Sequence, residues 1–101
     1  MTSRNGHSPA QQPMLLFFHS RSSGPSRRVE GFLAQVLQRR RNHETFKLMQ
    51  VAEEERPDLL ERFAVAEVPT LVVVEEKSVR ARLEQPRGCG DIEAFLSPWL
   101  N

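Results

Sequence analysis

One cysteine, one tryptophan and no tyrosine occur among the 101 residues, and no apolar run approaches the ~20 residues that a membrane-spanning helix needs. With only Cys89, an internal disulfide framework and a cysteine-based metal cluster are both excluded. The lone thiol and the absence of an apolar leader lead us to expect a cytoplasmic protein in a reducing compartment, with no membrane partner. Charge of one sign is also missing: fourteen Lys and Arg face thirteen Asp and Glu, for a net charge of +1. That balance, with no tyrosine and no RNA-type aromatic motif, argues against a nucleic-acid partner. His7, His19 and His43 lack ligand spacing, and Glu53, Glu54, Glu55 and Asp58 lack the glycine and spacing of a calcium loop, so we expect no metal and no cofactor.

What is present fits one small domain with one modest core. Residues 1–13 hold a single Met and a single Ala as their only apolar residues and are expected to form a disordered tail, leaving residues 14–101 as the domain. Met14 to Phe18 is a continuous apolar run of strand length, as expected of a strand covered on both faces. Val29, Phe32, Leu33, Val36 and Leu37 then recur at i, i+3, i+4, i+7 and i+8, the stripe of an amphipathic helix, with Arg39, Arg40 and Arg41 at its carboxyl end. Phe46 to Val51 reads as a second strand, parallel to the first across a right-handed crossover. Pro57 to Phe63 reads as a short helix with Pro in its first turn. Leu71 to Val74 and Val79 to Leu83 read as an antiparallel hairpin broken at residues 75–78, its second strand half exposed at an edge. Asp91 is expected to N-cap a last helix bearing Ile92, Phe95, Leu96 and Trp99. The order is β-α-β-α-β-β-α: a four-stranded mixed sheet flanked by helices on both faces.

Three segments in this order resemble the thioredoxin family. Ser22-Ser23-Gly24-Pro25-Ser26-Arg27 is similar to the family's Trp-Cys-Gly-Pro-Cys-Lys, Pro57 to Val65 resembles its second helix, and Val68-Pro69-Thr70 its Ile-Pro-Thr segment. The resemblance covers residues 14–100 and implies a thioredoxin-like α/β fold with a cis bond before Pro69. It also implies a surface, made of Ser22, Ser23, Gly24, Pro25 and Ser26 opposite Val68, Pro69 and Thr70, that docks an extended peptide in strand fashion.

The departures from the family concern chemistry. A serine hydroxyl neither ionises as a thiol does nor forms a disulfide, so dithiol exchange between residues 23 and 26 is chemically impossible. Phe17 stands where thioredoxins often hold a buried Asp, and Ser22 replaces the tryptophan. Cysteines exchanged for serine by design would account for Ser23 and Ser26, but not for Phe17 or Ser22. We therefore expect a redox-inactive protein that binds a protein or extended peptide. The rival readings are an oxidoreductase whose cysteines were replaced, and a thiol-binding, glutathione-transferase-like or glutaredoxin-like use of Ser23. The last draws on Gly88-Cys89-Gly90-Asp91, which resembles, with its order changed, the glutaredoxin segment that holds glutathione. Ser23 is expected to N-cap the first helix, and the amides of that turn with Arg21, Arg27 and Arg28 to form an anion site.

Overall fold

A computed structural model describes residues 12–39 and 44–100. The expected tail up to residue 11, together with Arg40 and Arg41, lies outside the described residues. Within them the chain runs β1 (Met14–His19), α1 (Gly24–Gln38), β2 (Lys47–Ala52), α2 (Pro57–Arg62), β3 (Thr70–Glu75), β4 (Ser78–Glu84) and α3 (Cys89–Leu96). The sheet order is β2-β1-β3-β4, with β1 parallel to β2 and antiparallel to β3, and β3 antiparallel to β4. This is the mixed α/β sheet that the sequence order implies.

Side chains of successive strand residues leave a sheet on opposite faces, so the unbroken apolar run of β1 feeds two cores. Leu15 and Phe17, with Leu71 and Val73 of β3, pack under Val29, Leu33 and Val36 of α1 and Ile92 and Leu96 of α3. Leu16, Phe18 and Val72 pack on the opposite face, against Leu59 and Leu60 of α2 and Phe63 just after it. No helix among the described residues is long and apolar enough to cross a membrane.

Several boundaries differ from the sequence expectation. Phe46 precedes β2 instead of opening it: its ring is buried and meets Trp99 edge-on at 6.2 Å, so the aromatic is spent on the core beyond α3. Helix α2 stops at Arg62, one residue early, because Phe63 leaves helical geometry and Ala64 takes φ 55°, closing the end with a bond from Val65 N–H to Leu60 O. Asp91 is not the N-cap of α3. Gly88 holds that position in extended backbone, and Asp91 sits in the first turn, where its Oδ2 accepts the Arg87 N–H at 2.9 Å. An acid at the third helical position reaching back to a free N–H before the helix satisfies the same kind of orphan donor that a cap would. Arg39 is the C-cap of α1, and its Nη1 lies 3.6 Å from Glu93 of α3.

Candidate functional site

The Ser-Gly-Pro-Ser turn joins β1 to α1, and hydroxyls hold it together from within. Ser23 has extended backbone at the N-cap, and its Oγ accepts the Ser26 N–H at 3.1 Å. Proline in the first turn has no N–H to satisfy, which suits the helix start. Ser26 turns inward, 2% exposed, and its Oγ accepts the Ser20 N–H at 3.0 Å. Ser23 and Ser26 thus take on different tasks: one caps the helix, the other braces the strand end.

Ser20 extends this network across the chain. Its hydroxyl donates to Glu54 Oε2 at 2.6 Å, and the Arg21 N–H donates to the same carboxylate at 3.1 and 3.3 Å. Those bonds, the Ser20 hydroxyl foremost, hold the Glu54 carboxyl below the usual carboxylate range. The Arg21 guanidinium meets the Glu55 carboxylate. Of the expected anion site, Arg21 therefore faces an acid of the chain itself, and the Ser26 N–H is already taken. Only Arg27 and Arg28 remain near the helix start without an acidic partner among the described residues.

Beside the turn runs a groove of about 430 Å³. Pro25, Arg28, Val29 and Phe32 of α1 form one wall, and Val68 with Pro69 the other; Gln85, Pro86 and Arg87 of the β4–α3 loop close one side. The Val68–Pro69 peptide bond is cis. Gln85 ties that loop to the proline segment through its N–H to Pro69 O at 2.8 Å and its Nε2 to Glu67 Oε1 at 2.7 Å. Among the described residues, neither the N–H nor the C=O of Val68 has a backbone partner. A groove with apolar walls and a free main-chain pair on one side suits an incoming extended chain.

Of the residues singled out from sequence, the groove brings together Pro25, Val68 and Pro69. Ser22, Ser23 and Gly24 belong to the adjoining turn, and Ser22 Oγ lies 3.3 Å from Ser20 Oγ. Ser26 and Thr70 are not surface contacts: both are buried, and the Thr70 hydroxyl donates to Glu67 O at 2.7 Å. The sequence pattern places Val29 and Phe32 on the buried stripe of α1 and marks nothing at Gln85, Pro86 and Arg87 that points to a site. What the sequence does carry there is Pro86, a proline between a strand and a helix, and the structure buries it.

Cys89 sits at the seam of α1 and α3, half-buried, with Sγ donating to Gln35 Oε1 at 3.1 Å. His19 stacks on Phe17 with ring centroids 5.1 Å apart. Among the described residues no three His, Cys, Asp or Glu side chains gather where a metal ion could sit.

A protein-family model described as Thioredoxin matches residues 6–98. No curated protein sequence matches the chain. Among solved structures it is similar to Trxlp from Edwardsiella tarda EIB202, at 17% identity and a TM-score of 0.76 over 94% of each chain. It is also similar to Fasciola hepatica thioredoxin, at 11% identity and a TM-score of 0.75 over 88% of this chain and 82% of that one. The oxidised mitochondrial thioredoxin 3 of Saccharomyces cerevisiae follows at 16% identity, a TM-score of 0.68, and coverage of 88% and 77%. At such identities the structural likeness speaks for the fold.

Proposed function

We propose, from the premise that this chain belongs to the thioredoxin family, that it is a redox-inactive binding module whose groove beside the Ser-Gly-Pro-Ser turn holds an extended protein segment. The observation that carries this reading is the pairing of an open groove with oxygen at both redox positions. The Val68 main chain offers one donor and one acceptor to a strand-like ligand, and Pro25 and Phe32 offer apolar contact for its side chains, over the buried Val29. At the turn, Ser23 Oγ and Ser26 Oγ each accept an N–H, and among the described residues no His, Asp or Glu side chain is hydrogen-bonded to either hydroxyl to activate it. Phe17, 1% exposed in the α1 core, adds no proton-transfer group.

Two measurements test the reading. In insulin reduction driven by dithiothreitol, the protein leaves the rate unchanged; acceleration would make it an oxidoreductase. In an amide-shift titration with carboxamidomethylated insulin B chain as an extended probe, the signals of Arg28, Phe32, Val68 and Arg87 move together. Silence at those four amides overturns the binding reading, and movement of Ser23 on adding glutathione alone would favour the thiol-binding alternative.

A further inference from the structure

A second concave surface lies at the other end of β3 and on the opposite face of the sheet. It has a volume of about 580 Å³ and an apolar floor of Phe63, Val74 and Val79, rimmed by Arg62, Lys77 and Arg82, with no acidic residue in its lining among the described residues. Val79 is 50% exposed, more than any other large apolar residue among those described.

The geometry that puts Val79 there is specific. The β3–β4 ladder slips by one residue at Val73/Val74, so that Val74 faces Val79, while Val73 faces Ala81. Without the slip Val74 would face Arg80. The bulge thereby delivers an apolar side chain to the α2 face and leaves Arg80 to pair with Glu75, its Nε 3.7 Å from Oε1. An edge strand normally protects itself with charge at such a position, and this one exposes a valine instead.

The cations of the rim are also unneutralised. Arg21, Arg39, Arg56 and Arg80 each meet a carboxylate. Among the described residues Arg62 and Lys77 meet none, and Arg82 is anchored by the Phe63 and Ala64 carbonyls at the end of α2. From the re-aimed valine and the unpaired positive rim we infer that this basin is a second docking surface, for an acidic protein segment that carries a bulky apolar anchor. The anchor covers Val74 and Val79 while its flanking carboxylates face Arg62 and Lys77. The inference stands apart from the groove beside the Ser-Gly-Pro-Ser turn.

The test uses the full chain and a fluorescein-labelled peptide, Asp-Glu-Asp-Leu-Phe-Glu-Asp-Asp. Binding is expected to shift the amides of Phe63, Ala64, Lys77 and Val79 and to weaken as salt rises. The double variant R62E/K77E weakens it about tenfold through two reversed rim charges, and Val79→Ser weakens it independently. A peptide with Ser-Ser in place of Leu-Phe binds poorly. Native amide dispersion in each variant shows that it remains folded. Absence of binding, binding that moves only Arg28, Val68 and Arg87, or binding unchanged in both variants overturns the proposal. So does a peptide that fails where vesicles of phosphatidylcholine and phosphatidylserine in equal parts move the same amides, since the surface would then be a lipid contact.

Discussion

Glu54 Oε2 accepts a hydrogen bond from the Ser20 hydroxyl, Oγ to Oε2 2.6 Å, across 34 residues of sequence, binding the loop before α2 to the end of β1. The same carboxylate takes the Arg21 N–H, so one acidic side chain fixes the approach to the Ser-Gly-Pro-Ser turn from outside, as Ser26 does from within. A carboxyl whose folded pKa is depressed contributes stability above its unfolded value and loses it as pH falls through the folded one. The turn is thus expected to loosen below the ordinary value of 4.5. The Arg21 and Ser22 amides shift in that range, and Glu54→Gln, which keeps an acceptor without the charge, removes the pH dependence from those two signals.

Ser26→Ala leaves the Ser20 N–H inside the protein without its acceptor, which costs about 1–3 kcal/mol. Ser23→Ala loses only a helix cap, about 1 kcal/mol. Urea unfolding of the two variants separates them, with Ser26→Ala having the lower midpoint.

Cysteines placed at both positions, Ser23→Cys with Ser26→Cys, are expected to form a disulfide on mild oxidation, seen as the loss of two hydrogens by mass. Turnover of insulin stays poor, because Phe17 offers no carboxyl to assist proton transfer. Adding Phe17→Asp does not repair this. A carboxyl in place of a ring 1% exposed leaves a cavity and a desolvated acid, at a cost of about 3–5 kcal/mol. The triple variant is expected to lose near-UV circular dichroism and its cooperative unfolding transition.

Ala64, at φ 55°, closes α2 in the left-handed region without being glycine. Ala64→Gly should raise stability by about 1 kcal/mol, read as a higher urea midpoint, since glycine adopts that backbone without steric penalty.

Apolar runs, two-residue alternation and the i, i+3, i+4, i+7 stripe are enough to read the element order and the buried helix faces. Leu15 and Phe17 against Leu16 and Phe18 needed only the two-residue period of a strand to be assigned to opposite faces. Ends were less legible. Asp91 has the chemistry of an N-cap and sits three residues further in, because Arg87 presents a free N–H that its carboxylate can reach. Phe46 alternates like a strand residue, yet Trp99 draws its ring into the core.

Atom type is fixed along the chain itself: residues 23 and 26 carry serine oxygens and no sulfur, whatever surrounds them. Which residues meet was decided only by the folded sheet. Strand order β2-β1-β3-β4 brings Val68, Pro25 and Pro86 to one groove and lays Glu54 against Ser20. The reason is physical: hydrophobic period records that a side chain is buried, a local property, while the identity of its neighbour depends on strand pairings across dozens of residues that no local pattern encodes.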